Sequence, residues 1–383
     1  MAGPALTVAF DVTPLLGTRT GIGHATAETL AALTTMVGRR ALIPYALGAR
    51  TRLHRRSMPP GTRVLPVPAR ALLWAWSRTD HPRVDRVLRP ARVVHATNFV
   101  APPTRLPLLV TVHDCSFVRF PETVSPIVRR FGPILRRAVA RGAWIHCTTE
   151  TIADEVEELL GPGLRRSGRI AVVPFAAPQL GAGSHLPPDI ARRLRGGPYV
   201  IALGTLEPRK NLPRLVRAFG AVGGRHRELR LVIAGPEGPD VQAVEAAVAA
   251  LEPGVRQRVL FAGAVASGDR RALIEGAAVL AYPSLYEGFG FPMLEAMTLG
   301  VPVLASRAGA IPEVADDAAH LVDPLDPDAI GGGLELLVTD ERLRRELIER
   351  GRERAAAFTW ARTASGLRSA YEELARTVAT ISS

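Results

Sequence analysis

The chain has 383 residues, of which 47% are hydrophobic, and carries a formal net charge of +12 at pH 7. This length exceeds what one hydrophobic core usually holds and predicts two domains, while the composition excludes a disordered or fibrous protein. Charged residues or prolines interrupt each apolar run well before the roughly 20 residues that cross a bilayer, which excludes a membrane-spanning helix. Two cysteines are too few for a disulfide framework and no secretion signal opens the sequence, so we expect a cytoplasmic protein.

Short β-rich runs alternate with helical stretches along the chain. Six such runs precede a polar stretch that is rich in glycine and proline: 5–12, 41–47, 93–97, 108–113, 145–149 and 170–175. Six more follow it: 199–203, 229–234, 258–262, 279–282, 302–306 and 320–322. The alternation predicts two Rossmann-like, doubly wound α/β domains that face each other across a cleft, with ligands beyond the carboxyl ends of the strands. We place these domains at residues 1–185 and 186–360.

Charge is divided unevenly between the two halves. Residues 1–180 carry a net charge of +13, and residues 181–383 carry −1. The first half is therefore expected to face an anionic partner, such as a lipid surface, a phosphorylated acceptor or nucleic acid, unless it is simply a solvated basic surface. Of the 48 basic residues, 47 are arginine, and only Lys210 is lysine. In a chain that otherwise uses arginine, this lysine indicates a position that requires a compact ammonium group.

Residues 125–144 have the pattern of a basic amphipathic helix, in which apolar residues alternate with five arginines. Two interpretations stay open. The helix could lie on an anionic membrane, which would make the protein peripheral on the inner face of the plasma membrane. Its apolar stripe could instead pack on the sheet of the first domain.

The segment 286–297, Tyr-Glu-Gly-Phe-Gly-Phe-Pro-Met-Leu-Glu-Ala-Met, follows a predicted strand and places two carboxylates eight residues apart. Pro292 suits the first turn of a helix, so Glu295 should lie in that turn and Glu287 in the loop before it. Both carboxylates could then accept hydrogen bonds from sugar or ribose hydroxyls. Three loop amides would lie at the positive end of the helix, where a diphosphate binds: those of Gly288, Phe289 and Gly290.

A second motif, Leu-Gly-Thr-Leu-Glu-Pro-Arg-Lys-Asn-Leu, runs from residue 203 to residue 212, directly after a predicted strand. Arg209 and Lys210 are adjacent on this strand-to-helix loop and can reach one pyrophosphate together. Their charges can stabilise the negative charge that grows on the pyrophosphate as its bond to a sugar breaks. This motif predicts catalysis of leaving-group departure without a metal ion.

Two weaker features lie in the first half. Residues 17–23 form a glycine-rich segment between the first strand and a helix, and its backbone, including Gly21 and Gly23, could approach the phosphates of a donor. His113, followed by Asp114, ends an apolar strand, where it could contact a transferred sugar or help to handle the acceptor. A polar residue that merely caps a loop is the alternative interpretation of this pair.

A metal site is not expected. Asp326-Pro327-Asp328 has the Asp-x-Asp form of some manganese and magnesium sites, but its position favours a helix cap. No cysteine and histidine cluster has the spacing of a zinc site. We also expect no permanently bound cofactor.

At these motifs the chain resembles the family-4 retaining glycosyltransferases, which have the glycosyltransferase-B fold and include bacterial mannosyltransferases. The resemblance covers nearly the whole length. The matching positions are Glu287 with Glu295 for the Glu-x7-Glu signature, Gly204 with Arg209, Lys210 and Asn211, Gly21 with Gly23, His113 with Asp114, and Pro302 through Val314. The chain departs from many relatives at His24, where they carry arginine, and this weakens the first domain's share in donor binding.

The resemblance implies a role for each matched residue. Arg209 and Lys210 would bind the donor diphosphate, Glu295 the ribose and Glu287 the hexose, with His113 near the reacting carbon. The anomeric configuration would be retained, with the leaving diphosphate taking the proton of the acceptor. The last helix, at residues 361–383, would cross back to the first domain.

The donor implied by the resemblance is a nucleotide-diphosphate sugar, with GDP-mannose as the first choice and UDP-glucose or UDP-N-acetylglucosamine as alternatives. The acceptor is a glycan, a lipid-linked molecule or a small molecule. Two rival functions stay open. One is another enzyme of the same fold, a sugar phosphorylase or a nucleotide-sugar epimerase. The other is a basic nucleic-acid-binding protein, which the 5% aromatic content and the scattered arginines disfavour, so no nucleic-acid partner is expected.

Overall fold

The computed structural model of the protein describes residues 6–16, 21–48, 58–122, 124–181 and 185–381. The chain divides into two compact units. The first unit contains the chain up to Ala176 together with the segment from Phe358 onward, and the second unit is Ala177–Ala357. The divisions thus fall after Ala176 and Ala357, whereas the predicted boundaries lie after residues 185 and 360.

The first unit is built on a parallel sheet that has seven strands among the described residues. The strands are β1 Val8–Asp11, β2 Leu42–Ala46, β3 Arg63–Val64, β4 Val93–Ala96, β5 Leu108–Val112, β6 Trp144–Cys147 and β7 Ile170–Val172, in the order β3-β2-β1-β4-β5-β6-β7. The helices are α1 Gly21–Val37, α2 Ala69–Trp76, α3 Asp85–Leu88, α4 Ser116–Arg119, α5 Phe131–Ala140 and α6 Glu150–Leu159. The central strands are buried along their whole length, because helices cover both faces of the sheet.

The second unit has six parallel strands among the residues described, in the order β10-β9-β8-β11-β12-β13. They are β8 Tyr199–Leu203, β9 Arg230–Ala234, β10 Val259–Gly263, β11 Val279–Tyr282, β12 Val303–Ser306 and β13 His320–Val322. The helices are α7 Pro188–Leu194, α8 Leu212–Arg225, α9 Val241–Ala249, α10 Pro253–Arg256, α11 Ser267–Glu275, α12 Phe291–Thr298, α13 Ile311–Ala315, α14 Pro327–Thr339 and α15 Glu341–Ala357. One apolar core joins the sheet to α8 and α14.

The last helix, α16 Trp360–Ile381, belongs to the first unit. Its buried residues Leu367 and Leu374 share a core with β1 and β4, and the helix packs against α1. A buried chain of hydrogen bonds also joins it to the sheet. Tyr371 Oη lies 2.6 Å from His95 Nδ1, and His95 Nε2 lies 2.8 Å from Thr111 Oγ1.

The series of hydrogen bonds continues from Thr111 across the sheet to its edge. Thr111 Oγ1 lies 2.9 Å from His146 Nδ1, and His146 Nε2 lies 2.9 Å from the carbonyl oxygen of Val173. Burial lowers the pKa of both His95 and His146, so both histidines are neutral and each has one N–H. Because a carbonyl only accepts, His146 donates from Nε2, and the hydrogen bonds therefore run in one direction from Tyr371 to Val173.

All twelve predicted strands are present, and each end lies within three residues of its predicted position. The two-residue strand β3 was missed. Two other predictions about the first unit were wrong. The helix at 125–144 is shorter than predicted, because a 3₁₀ turn covers Val128–Arg130, α5 ends at Ala140 and Trp144 opens β6. Gly21 and Gly23 lie inside the first turn of α1 rather than in a loop before it, while residues 17–20 lie outside the described residues.

The apolar stripe of α5 packs inside the first unit, which is the second of the two interpretations of this segment. Ile134, Leu135 and Ala138 are each at most 1% exposed. On the basic side, Arg137 and Arg141 pair with Asp80 at 2.9 and 2.5 Å. Within the described ranges, none of the helices is long and apolar enough to cross a bilayer.

Candidate active site

The strand order of the second sheet reverses between β8 and β11, which are neighbours at its centre. Connections that leave two such strands run to opposite faces of the sheet, so a crevice opens beyond their carboxyl ends and serves as a ligand site. The loop after β8 contains Arg209 and Lys210, and the loop after β11 contains Glu287. The fold thus brings together two motifs that are almost eighty residues apart in sequence.

Glu287 is the point at which the two cations meet. Arg209 Nη1 lies 2.6 Å from Glu287 Oε2, and Lys210 Nζ lies 2.5 Å from Glu287 Oε1. Arg209 also contacts Glu207, with Nη2 2.6 Å from Oε1. Each oxygen of the Glu287 carboxylate therefore accepts from a different cation, and the arginine bridges two acids.

The backbone around Arg209 and Lys210 is held from several sides. Asn211 adopts a left-handed conformation with φ of 58°, and its Nδ2 donates to the carbonyl oxygens of Pro283 and Pro324 at 3.0 and 2.7 Å. The amide of Leu285 donates to the carbonyl oxygen of Arg209 at 2.7 Å. These bonds tie the loop after β8 to the loop after β11, so the positions of the two cations are fixed before any ligand arrives.

Two glycines allow close approach at the same place. Gly204 has φ of 139°, and a Cβ there would lie 2.9 Å from Lys210 Cε. Gly309 has φ of 55°, and a Cβ there would lie 2.7 Å from the carbonyl oxygen of Glu287. That carbonyl accepts a 2.9 Å hydrogen bond from the amide of Ala310. A larger residue at either glycine would displace the lysine or the glutamate.

Electrostatics keep Glu287 ionised although it is only 7% exposed. Burial by itself would raise the pKa of Glu287, but the charges of Arg209 and Lys210 outweigh it and lower this pKa to about 2. Burial lowers the pKa of Lys210, and Glu287 partly offsets that effect. The Lys210 ammonium also lies 5.0 Å from the centre of the Tyr282 ring.

Glu295 forms a separate ion pair in the first turns of α12. Its Oε2 accepts from Arg270 Nε at 2.8 Å and from Arg270 Nη2 at 2.6 Å. Glu295 is 3% exposed, and burial raises its pKa while Arg270 works in the opposite direction. Both contacts of Arg270 fall on one carboxylate oxygen, so Arg270 orients the group and favours its charged form.

Gly290 is the residue that precedes α12, and Pro292 lies in the first turn of the helix, as predicted. Phe289 is 6% exposed, and its ring lies 5.3 Å from that of Phe291. The loop Gly288–Gly290 therefore leads directly into the positive end of an eight-residue helix, beside Glu287.

His113, in the first unit, is partly buried at the end of β5. Its Nε2 donates to the carbonyl oxygen of Thr97 at 2.9 Å, and its ring lies 5.4 Å from Phe99 and 5.8 Å from Phe175. Burial lowers the pKa of His113, and the hydrogen bond to Thr97 offsets this only in part. The imidazole is therefore neutral near pH 7, with the proton on Nε2.

Two carboxylates, one in each unit, accept hydrogen bonds at the start of a helix. Asp114 Oδ1 accepts from the amide of Ser116 at 2.9 Å and from its hydroxyl at 2.6 Å, at the start of α4. Asp326 Oδ1 accepts from the amides of Asp328 and Ala329 at 2.8 and 3.1 Å, and so caps α14 as the sequence predicts. Among the described residues, no group of three or more histidine, cysteine, aspartate or glutamate side chains is placed to hold a metal ion.

The second unit thus contains four of the predicted groups, and it arranges them differently from the expectation. All four groups lie in one unit, and they were expected to contact the donor rather than one another. Glu287 joins both cations directly, whereas Glu295 pairs with Arg270. Arg270 was not predicted, because no local pattern in the sequence marks it. Glu207 and Tyr282 were also missed, although Glu207 lies in the same motif as Arg209.

Two doubly wound parallel sheets of this kind define the glycosyltransferase-B fold, which confirms the predicted fold class. Residues 190–354 match the family model described as glycosyl transferases group 1, so the second unit contains a glycosyltransferase group 1 domain. O-antigen chain mannosyltransferase B of Escherichia coli is 35% identical over 178 residues, which are 46% of this chain and 46% of that protein. The chain matches about half the length of its curated relatives.

Solved structures resemble the chain over both units. Sucrose-phosphate synthase of Thermosynechococcus elongatus has a TM-score of 0.71 at 18% identity, and the match covers 96% of this chain and 99% of that one. The Anabaena protein HepE, solved in complex with UDP and glucose, has a TM-score of 0.67 at 17% identity, with 96% and 100% covered. At these identities the similarity establishes the fold alone.

Proposed function

We propose that this protein is a retaining hexosyltransferase that transfers a sugar, with mannose as the first choice, from a nucleotide-diphosphate donor to an acceptor hydroxyl. The observation that carries the proposal is the meeting of Arg209 and Lys210 on Glu287, next to the positive end of α12. Two cations and a helix terminus are what a diphosphate needs, and the carboxylate beside them can accept from a sugar hydroxyl.

In this proposal the bound donor reorganises the ion pairs. The diphosphate attracts Arg209 and Lys210, and Glu287 gives up part of its contact with them to accept hydroxyl hydrogen bonds from the hexose. Glu295, held by Arg270, accepts from the ribose through its second oxygen. The amides of the Gly288–Gly290 loop bind phosphate oxygens, and the Gly204 backbone allows the diphosphate to approach.

The reaction breaks the bond between the anomeric carbon and the diphosphate oxygen. The acceptor oxygen bonds to that carbon on the same face, and its proton passes to the departing diphosphate. Arg209 and Lys210 stabilise the charge that grows on the leaving group, so no metal ion is needed. We assign His113 a role in contacting the transferred sugar and Gly21 and Gly23 a weaker role in donor binding.

The choice of donor rests on relatives. The E. coli relative is named a mannosyltransferase, which supports GDP-mannose, whereas the complex of HepE with UDP and glucose supports UDP-glucose as the alternative, with UDP-N-acetylglucosamine after it. We propose a glycan or lipid-linked acceptor in the cytoplasm. Any association with an anionic membrane would be electrostatic, because the apolar stripe of α5 is buried.

The test is calorimetry with nucleoside diphosphates and their sugars, followed by product analysis. We expect one nucleotide to bind the wild type, and Arg209→Gln to weaken that binding at least about tenfold because it removes a charge-assisted contact. The matched control is Arg217→Gln, which removes an exposed arginine from α8. Absence of binding across the whole panel would refute the proposal.

Product analysis separates the rival enzymes. An epimerase would convert a nucleotide sugar without an acceptor, and a phosphorylase would consume inorganic phosphate. A phosphorylase that uses pyridoxal needs a Schiff-base lysine, yet Lys210, the single lysine of the chain, is buried against Glu287. A nucleic-acid-binding protein would shift DNA or RNA in a mobility assay at physiological salt, and we expect no shift.

A further inference from the structure

A groove of 890 Å³ lies in the second unit, away from the residues discussed so far. It is lined by residues of α7, by the end of α8 and the turn after it, and by α10. Arg230 opens β9, and Arg258 directly precedes β10. The groove therefore lies at the amino ends of the strands, on the opposite edge of the sheet from Arg209 and Lys210.

The lining is strongly basic. Two acids, Asp189 and Glu252, face a larger set of arginines: Arg192, Arg193, Arg195, Arg227, Arg230 and Arg258. Within the described part of the chain, which includes every aspartate and glutamate, none of these six arginines forms an ion pair. Their charges are therefore available to an anion from solution without the prior loss of an ion pair.

Arg258 is a cation in the lining of the groove that backbone hydrogen bonds hold in place. Its Nη1 donates to the carbonyl oxygens of His226 and Leu229 at 2.8 and 3.0 Å, its Nη2 to Gly223 at 2.6 Å and its Nε to Gly254 at 3.0 Å. Carbonyl oxygens orient the guanidinium but leave its charge uncompensated. The side chain is thus held in place while its positive charge remains.

The neighbours of Arg258 add to this charge. Burial and then the charge of Arg230 lower the pKa of Arg258, Glu228 works in the opposite direction, and Arg227 adds a smaller lowering effect. Like charges held close together repel, and a bound anion relieves that repulsion. The chain has 36 acidic residues, all within the described ranges, yet none of them forms an ion pair with the arginines that line this groove.

The lining also limits the chemistry of the ligand. Val255 is the one apolar side chain among the lining residues, and no aromatic ring is present to stack on a base. Guanidinium groups bind phosphate with paired hydrogen bonds. The volume lies near the upper end of the roughly 300–1,000 Å³ that small-ligand sites occupy, which is more than a single phosphate fills.

We propose that this groove is a second anion site, which binds a ligand with two or more phosphate groups and no stacking base. The ligand is either a free oligophosphate or the phosphate-bearing headgroup of a lipid. The proposal does not depend on the function of the site at Arg209, because it concerns the other edge of the sheet.

The experiment measures binding of inorganic tripolyphosphate to the full chain by calorimetry at about 150 mM salt, where loose surface attraction is screened. The groove variant combines Arg193→Gln with Arg227→Gln, two exposed residues. The control combines Arg342→Gln with Arg345→Gln, two exposed arginines of α15, and has the same net charge. The parent protein, the groove variant and the control variant all carry Arg209→Gln as well, which weakens binding at the other site.

We expect the groove variant to bind tripolyphosphate about tenfold more weakly than the control double variant, because each lost contact is charge-assisted. A parallel arm measures co-sedimentation with vesicles that contain cardiolipin, whose headgroup has two phosphates, and with phosphatidylcholine vesicles. Selective loss of tripolyphosphate binding identifies a free oligophosphate, and selective loss of sedimentation with the cardiolipin vesicles identifies a headgroup. If the two double variants behave alike in both arms while both remain folded by circular dichroism, the proposal is wrong.

Discussion

The hydroxyl of Tyr371 donates a 2.6 Å hydrogen bond to Nδ1 of His95, although the two residues are 276 positions apart in sequence. Both are buried, and neither has access to water. This bond is the first of the directed chain that ends at Val173. It joins the last helix of the chain to the centre of the first sheet, so the helix and the sheet should lose stability together.

We expect Tyr371→Phe to destabilise the first unit by about 1–3 kcal/mol, because it leaves a buried acceptor on His95 without a donor. Hydrogen exchange followed by mass spectrometry measures this, with α16 and β4 losing protection and α8 in the second unit serving as the internal control. Equal loss of protection in both units would contradict the expectation.

The series of hydrogen bonds from Tyr371 to Val173 also makes the stability of the first unit depend on pH. Burial lowers the pKa of His146 to about 4, below its ordinary value of 6.5. The unfolded chain therefore binds a proton between these values while the folded chain does not, so this residue makes stability fall as the pH drops from about 6.5 to about 4. Above about pH 6.5 its contribution is fully present.

His146→Gln removes the titration and keeps a donor for Val173 and an acceptor for Thr111. We expect the midpoint of thermal unfolding of this variant to fall less steeply than that of the wild type across the same pH range. Asp11, whose pKa burial raises to about 6, is present in both proteins and cancels in the comparison. If the unfolding midpoint falls equally steeply with pH in both proteins, His146 does not control stability in this pH range.

Lys210→Arg keeps the charge but should lower kcat/KM for transfer by about 100-fold, as losses of preorganised electrostatic contacts do. The guanidinium group is larger than the ammonium and planar, and the pocket between Gly204 and Tyr282 is shaped for the smaller group. Steady-state kinetics measure the effect, and Arg217→Lys on the exposed face of α8 is the control. Activity close to that of the wild type would show that the single lysine carries no special function.

Arg270→Met should weaken donor binding and move its pH dependence upward. Burial already raises the pKa of Glu295, and without Arg270 this pKa rises further, so the carboxylate takes up a proton at higher pH and stops accepting from a hydroxyl. Donor affinity measured between about pH 5 and pH 8 tests this. Arg271→Met, one position away and paired with Glu275 on the surface, should leave the profile unchanged.

Gly204→Ala should displace the Lys210 side chain, because the new Cβ would lie 2.9 Å from Lys210 Cε, and the backbone there has φ of 139°. We expect a loss of about 1–3 kcal/mol in the stability of the second unit, as backbone strain of this kind costs, together with weaker donor binding. Gly332→Ala in α14, with open space around its Cβ, should instead be neutral or stabilising by up to about 1 kcal/mol. Denaturant unfolding compares the two.

The sequence was sufficient for most of the fold because buried parallel strands are runs of valine, isoleucine and leucine, which local pattern reveals. It was also sufficient for the loops after β8 and β11, because the carboxyl ends of parallel strands meet at one edge. The strand β3 was missed because Arg63 and Val64 are too short a run to show alternation. Glycines at residues 21 and 23 indicated a loop, yet they lie in a helix whose first turn tolerates them.

Contacts between residues that are far apart in sequence could not be predicted from local sequence patterns. Arg270 lies 25 positions from Glu295, and nothing in the residues around it distinguishes it from the other arginines of the chain. The bonds from His95 to Tyr371 and from Thr111 to His146 likewise depend on the register of strands and on the docking of α16. Such pairs are decided by tertiary packing, so they become visible only when the strands are placed side by side.

The division of the chain has a consequence for biosynthesis. The second unit is one continuous stretch, whereas the first unit is completed by the segment that follows Phe358. On the ribosome, the second unit is therefore able to fold while β1 and β4 still lack their covering helix α16. Nascent chains would expose apolar sheet surface until α16 has been synthesised, and a chaperone that holds such surfaces would act during this interval.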